Sequence, residues 1–406
     1  MATPDSYIPR ALEPTLLLAA AQFPAVVLAG PRQSGKTTLL KHLFGTKYRY
    51  LSVELPEVRA AASADPRGWL EAYPPPVIFD EIQHAPELLP YIKERIDAQR
   101  FQPGQYLLSG SQNLLLLERV TESLSGRTAV LRLLPLSRRE TVGHPHAPLP
   151  WEAPTSPSGP AFAQLWGSLL RGGYPELTAD PDRDLHLWHA SYIQTYLERD
   201  VRSIRHVGDL SSFQAFLRAL AVRGGQPLSL TDISRDLGVA VNTVKAWLSV
   251  LEATHQVFVL RPYFANVGKR LIKSPKVYFT DTGTLCHLVG LRDHEHAAAG
   301  PLGAAIFETA VLAEIAKTLL NRGQEPQLYF WRTSYGVEVD LVVDTGRALV
   351  PIEVKLSATP HPRMAAGIKS FQKAFGDRAA PGYIVHPGDV RLPLTRDITA
   401  LPFGAL

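Results

Sequence analysis

Cysteine is almost absent: Cys286 stands alone in 406 residues, which excludes an internal disulfide framework and suits a reducing compartment. The ordinary role for such a residue is a small buried apolar side chain. Long apolar runs are lacking too. Residues 15–30 resemble a signal peptide in hydropathy, but their charged flank is thin, Pro24 interrupts them and a glycine-rich turn follows at once, so they read as a helix and a first strand. Elsewhere no stretch reaches the roughly 18 to 20 apolar residues that a membrane-spanning helix needs. Excess charge is small, since 42 Lys and Arg against 38 Asp and Glu leave +4, a mildly basic balance that permits a nucleic-acid partner without demanding one. No internal repeat or heptad seam is visible. The expectation is a soluble cytoplasmic protein with no membrane partner. With 45% hydrophobic residues at this length, two or three domain cores are expected.

What is present begins with Gly30-Pro31-Arg32-Gln33-Ser34-Gly35-Lys36-Thr37-Thr38, set between the apolar run Ala25-Val-Val-Leu-Ala29 and a helix-like segment, 37–44. Strand, glycine-rich turn and helix in that order are what a phosphate loop requires. The glycines let successive N–H groups and the positive helix end point at a polyphosphate. Lys36 is expected to reach the β- and γ-phosphates and the Thr37 hydroxyl to ligate Mg²⁺, making ATP and Mg²⁺ the expected cofactors. Further on, Val77-Ile-Phe-Asp80-Glu81 is an apolar strand ending in two carboxylates. Asp80 fits the Mg²⁺-holding acid and Glu81 the group that orients or deprotonates an attacking water, so hydrolysis is expected rather than binding alone. Tyr106-Leu-Leu-Ser109-Gly-Ser111-Gln-Asn113 ends another strand, where Ser111, Asn113 or Ser109 is placed to sense a γ-phosphate, unless the segment is a plain Ser-Gly turn. Arg127 and Arg171 are candidates for an arginine finger acting on a neighbouring subunit, which would require a homo-oligomer.

Prolines at 145, 148, 150, 154, 157 and 160 mark a loop or linker. Helical spacing resumes at 162–170 and 187–207, which reads as a lid or bridge. From Ser229, a capped short helix, a turn at Gly238 and a second amphipathic helix make a helix-turn-helix, with 256–260 and 276–279 as wing strands. Asn242, Thr243 and Lys245 start the second helix, where major-groove contacts originate, and Lys269, Arg270, Lys273 and Lys276 form a basic cluster suited to phosphates. Winged helices also serve as protein-binding modules.

A third constellation lies near the C-terminus. The segment 336–343 alternates like a strand, Asp344-Thr-Gly-Arg347 reads as a hairpin turn and 349–355 returns. Pairing residue 344 with 347 puts Asp340 opposite Pro351 and Glu353 opposite Glu338 on the same face. Asp340 and Glu353 then lie diagonally about 7 to 8 Å apart, near enough to share a metal ion. Lys355 projects from that face, and Glu308 on the preceding helix is a further candidate ligand. Carboxylates sharing Mg²⁺ with a lysine beside the attacked phosphate suit phosphodiester hydrolysis, with Glu353 and Lys355 as catalytic groups. Cross-strand ion pairs on a solvated face are the plainer alternative.

These motifs, with Tyr7-Ile-Pro-Arg10, Gly172-Gly-Tyr-Pro-Glu176, Tyr196-Leu-Glu-Arg-Asp200, Asn266, Asp281-Thr-Gly283 and Ile352-Glu-Val-Lys355, resemble, nearly end to end, a widespread prokaryotic family of AAA-type ATPases with a C-terminal domain of unknown function. The resemblance implies an α/β chain: a P-loop NTPase (AAA-like) domain at 1–143, a Pro-rich linker or loop at 144–160, a helical lid or bridge at 161–225, a winged helix-turn-helix at 226–285 and a restriction-endonuclease-like domain of the PD-(D/E)xK type at 286–406. It assigns that type's acids and lysine to Asp340, Glu353 and Lys355, and the helical acid to Glu308. Two functions follow as expectations. In one, nucleotide state gates binding, and cleavage, of nucleic acid, DNA before RNA; in the other, the C-terminal half is an inactive adaptor for protein partners.

Overall fold

The computed structural model describes residues 7–99, 102–111, 123–153, 162–197, 210–263 and 274–406. Asn113, residues 198–200, Asn266, Lys269, Arg270, Lys273 and the prolines at 154, 157 and 160 lie outside the described residues.

Helix α1 (Glu13–Gln22) leads into strand β1 (Ala25–Ala29), whose five residues are all buried, as befits a parallel strand covered on both faces. After α2 (Lys36–Phe44) come β2 (Arg49–Ser52), β3 (Val77–Asp80), β4 (Tyr106–Gly110) and β5 (Thr128–Arg132). All pairings are parallel, and the spatial order is β2-β3-β4-β1-β5. Alternate residues enter two cores: Val27, Phe79 and Leu108 on one face, Val26, Leu28, Ile78 and Leu107 on the other. The carboxyl ends of β1, β3 and β4 share one edge, where the glycine-rich turn, Asp80-Glu81 and Ser109-Gly110-Ser111 emerge. That edge is where open parallel sheets hold ligands.

The remainder packs around a large hydrophobic cluster running from Leu149 to Leu406, with two smaller ones that include Phe371 and Ile368. Helix α3 (Phe162–Arg171) and two shorter helices, Pro175–Ala179 and Leu185–Tyr192, precede α4 (Leu210–Val222), α5 (Leu230–Leu237) and α6 (Val241–Ala253). The Ser229 hydroxyl caps α5 by accepting from Asp232 N, and Gly238 ends it at φ 65°, so the capped helix and glycine turn stand as the sequence predicts. An antiparallel pair follows, β6 (Val257–Pro262) and β7 (Lys276–Phe279). Next come α7 (Thr282–Leu288), the buried α8 (Gly303–Asn321), β8 (Leu328–Arg332), β9 (Glu338–Asp344) and β10 (Leu349–Val354). Helix α9 (Ala366–Phe375) then leads to β11 (Gly382–His386), β12 (Leu392–Thr395) and β13 (Ile398–Pro402).

Two expectations change. The strand pair β6/β7 does not stand apart as a wing: β6 pairs in parallel with β8, so both strands belong to an eight-stranded sheet, β12-β13-β11-β10-β9-β8-β6-β7, that crosses the expected boundary at 285/286. A two-stranded ribbon is marginal alone, and β8 completes its edge. The β9–β10 hairpin also closes one residue later than expected. Thr345 N donates to Ala348 O at 3.1 Å, Gly346 takes φ 77° and Leu349 pairs with Asp344, because the left-handed turn position falls on the glycine. Continuing the register Ile352↔Leu341 puts Glu353 opposite Asp340 rather than Glu338. A two-residue shift preserves the face.

Candidate functional site

The turn after β1 is shaped by its glycines. Gly30 has φ 153°, and a Cβ there would lie 2.1 Å from Leu133 O; Gly35 has φ 92° and N-caps α2 without any side-chain cap. The first-turn N–H groups of α2 therefore have no side chain competing for them. Gln33 takes φ 60°. Lys36 is buried and its ammonium donates to Gly30 O at 3.0 Å and Pro31 O at 2.8 Å. Arg32 is buried, Thr38 exposed, and the buried Ser34 hydroxyl has no hydrogen-bond partner among the described residues.

Facing the loop, the Asp80 carboxylate accepts from Thr37 Oγ1 at 2.8 Å and Tyr50 OH at 2.7 Å on one oxygen, and from Ser109 Oγ on the other. Burial and the Asp80 contact hold the Tyr50 phenol well above its ordinary pKa. Glu81 sits at φ 57°, a conformation that costs a non-glycine residue about 1 kcal/mol or more. Its carboxylate accepts from Ser111 Oγ at 2.9 Å and from Gln83 Nε2. Hard oxygen donors at Thr37 and Asp80, the α2 N-terminus free of a side-chain cap and an unpartnered Ser34 hydroxyl fit a nucleotide with Mg²⁺. Of the predicted sensors, Ser111 touches Glu81 and Ser109 touches Asp80.

Among the described residues, neither arginine hydrogen-bonds to this loop. Arg127 precedes β5 at the opposite end of the sheet, since Thr128 pairs with Ala25, and it binds Asp97 at 2.6 and 3.0 Å. Arg171 is engaged by the carbonyls of Leu177 at 3.0 Å and Pro181 at 2.8 Å.

The C-terminal acids converge with a lysine that sequence reasoning placed elsewhere. Lys276, expected on a nucleic-acid surface, is 4% exposed and pairs with Glu338 at 2.6 Å and Glu308 at 3.3 Å. Its strand is the edge strand of the eight-stranded sheet rather than part of a free wing, and the side chain points to the acids of β9 and α8. Tyr278 OH also donates to Glu308 at 2.5 Å. Lys355 lies 2.8 Å from Glu353 and 3.8 Å from Asp340, and Val354 N donates to Asp340 at 2.8 Å. Burial, then the neighbouring Asp340, pushes Glu353 up to about 8. Burial likewise raises Glu308 to about 6 against the opposing pull of Lys276. Lys276, Glu338, Asp340, Glu353 and Lys355 line a cavity of about 450 Å³ together with Gly367. The expected metal trio of Glu308, Asp340 and Glu353 is not assembled. No group of three or more His, Cys, Asp or Glu among the described residues is placed to hold a metal; Lys276 pairs with Glu308, and Lys355 with Glu353 and Asp340.

On α6, Asn242 and Lys245 are exposed and Thr243 is half-buried. The adjoining α5 carries ion pairs of both signs, Arg235–Asp232 and Asp236–Arg223.

Sequence reasoning missed three buried residues beneath the phosphate loop: Arg10, Glu140 and Asn321. Arg10 was visible only as part of Tyr7-Ile-Pro-Arg10. Glu140 carried a signal, since Ser137-x-x-Glu140 is a capping-box pattern, and the structure forms that box. Asn321 carried none.

Residues 22–142 match the AAA domain family, 163–295 a domain of unknown function (DUF8612) and 303–406 a domain of unknown function (DUF4143). The uncharacterized proteins Rv2008c of Mycobacterium tuberculosis and Mb2031c of Mycobacterium bovis are each 33% identical over 382 residues, spanning 93% of this chain and 80% of theirs. Among solved structures, the Walker-type ATPase PABY2304 of Pyrococcus abyssi aligns at TM-score 0.47 with 16% identity, covering 71% of this chain and 96% of that one. The Thermotoga maritima Holliday junction branch migration motor RuvB aligns at 0.27 with 16% identity, covering 61% and 86%. No helix among the described residues is long and apolar enough to cross a membrane.

Proposed function

The chain belongs to the family of the mycobacterial proteins Rv2008c and Mb2031c, with an AAA-type ATPase domain at its N-terminal end and DUF4143 at its C-terminal end, and from that premise we propose that it hydrolyses ATP and uses the nucleotide state to control its C-terminal half. The observation that carries this is the meeting of Thr37, Asp80, Glu81 and Ser111 at the open end of α2. Backbone N–H groups of residues 33–37 and the Lys36 ammonium bind the phosphates, Lys36 exchanging its loop carbonyls for phosphate oxygens. Thr37 and Asp80 would hold Mg²⁺, which when bound neutralises charge developing on the phosphates. Glu81 orients a water and accepts its proton, and Ser111 holds that carboxylate in place. Lys36→Ala is expected to abolish turnover in a phosphate-release assay; unchanged hydrolysis would remove the basis of this proposal.

For the C-terminal half, exposed Asn242 and Lys245 at the start of α6 support a winged-helix-like contact with nucleic acid, DNA first. A second reading, an adaptor for a protein partner, is supported by the pairing of the cluster's acids with Lys276 and Lys355. Duplex DNA binding titrated against salt separates them, because phosphate contacts release counterions. Affinity falling steeply with salt supports the first; a flat response or no binding supports the second. Assembly into a homo-oligomer, needed for an arginine finger, is read by mass measurement with and without ATP.

A further inference from the structure

Beneath the phosphate loop lies a closed ring of buried polar groups that joins three distant parts of the chain. Arg10, 3% exposed, donates from Nη1 to Ser34 O at 2.8 Å, from Nη2 to Leu134 O at 2.6 Å and from Nε to Glu140 Oε1 at 3.1 Å. Glu140, 1% exposed, also accepts from Ala11 N at 2.9 Å, Ser137 N at 2.8 Å and Asn321 Nδ2 at 2.9 Å. Asn321, fully buried at the end of α8, accepts from Leu134 N at 3.3 Å and so closes the ring.

A buried guanidinium and carboxylate are tolerated only when fully partnered, and removing one member strands the rest. Here the partners hold two loop elements. Ser34 is in the phosphate loop itself, and Leu134 adjoins Leu133, whose carbonyl stands against Gly30. The ring therefore sets both sides of the loop, and one member comes from the DUF4143 side of the chain.

We propose that Arg10, Glu140 and Asn321 are positioning residues for the phosphate loop, so that the nucleotide site is completed by the last turn of α8. This rests on the nucleotide-binding role given to the loop. It makes nucleotide affinity depend on a C-terminal residue that does not touch the ligand. By reciprocity, bound nucleotide stiffens the end of α8.

The experiment uses the full chain, a fluorescent ATP analogue with Mg²⁺, and thermal melting. Losing the Asn321 pair is expected to weaken the analogue about 5- to 10-fold in Asn321→Ala, the worth of about one buried hydrogen bond. Arg10→Lys, which cannot make all three contacts, weakens it as well. Glu314→Gln is the control for a loosened interface. Glu314 lies on the same helix and accepts from Arg138 N at 2.7 Å and Arg139 N at 3.3 Å, outside the ring. It should lower Tm while leaving affinity within about twofold. Asn321→Ala binding as the wild type does, or Glu314→Gln weakening the analogue equally, overturns the proposal. Should Asn321→Ala not fold, hydrogen exchange on the wild type decides: the analogue must slow exchange at residues 134–140 and 314–321, and unchanged exchange with analogue bound overturns it. A wild type that binds no analogue instead brings down the nucleotide role itself.

Discussion

Glu353 and Lys355 show how one side chain's surroundings set its chemistry. Glu353 is 4% exposed and opposite Asp340, and its carboxyl is pushed up to about 8. The unfolded chain loses that proton near the ordinary glutamate value of about 4.3. Between those values the native state therefore holds the extra proton, and this group's contribution to stability falls as pH rises through that window. Glu353→Gln is expected to flatten the decline in Tm between about pH 5 and pH 8; an identical pH profile in the variant would mean Glu353 is ionised throughout. The phosphate-loop residues were legible from sequence because their chemistry is local: Gly30, Lys36, Thr37 and, one strand away, Asp80 and Glu81 stand in fixed order along the chain. Lys276 was not legible in the same way. Its sequence neighbours Lys273 and Arg270 suggested a basic surface, whereas its spatial neighbours are Glu308 and Glu338.

At the scale of elements, strand β7 accounts for that difference. Pairing with β6, which pairs with β8, draws Lys276 into the sheet beside β9 and α8. The lysine is then a tie between the middle and C-terminal parts of the chain. Removing it leaves two largely buried carboxylates without their cation, so Lys276→Met should cost about 3 kcal/mol of stability, measured by denaturant unfolding. Any DNA affinity should be unchanged, because the side chain does not reach the surface. A stable variant with weakened DNA binding would restore the surface role. The capped helix α5 and the turn that ends it were readable from Ser229 and Gly238 because caps and turns are local signals. The β9–β10 register was not, since Gly346 fixed the turn one residue beyond the expected place; the face survived only because the pairing slipped by two.

Across the whole molecule, the sequence divided the chain into modules more sharply than the fold does. Helical, strand-pair and C-terminal parts share one core from Leu149 to Leu406, and α8 serves both ends: Glu308 faces the acid cluster while Glu314, Lys317 and Asn321 contact the segment 134–140 of the nucleotide domain. Composition cannot reveal such sharing, because an apolar residue reads the same whichever domain it packs against. The consequence is a phosphate-loop domain hydrogen-bonded to the C-terminal half, which is what the proposed control by ATP needs. The claim beneath all of this is that the loop hydrolyses ATP with Glu81 as the group that activates water. The measurement to make is nucleotide binding and steady-state turnover for the wild type and Glu81→Gln side by side. The account predicts equal ATP affinity with turnover reduced by about 100-fold or more in the variant; turnover at the wild-type rate in Glu81→Gln would contradict it.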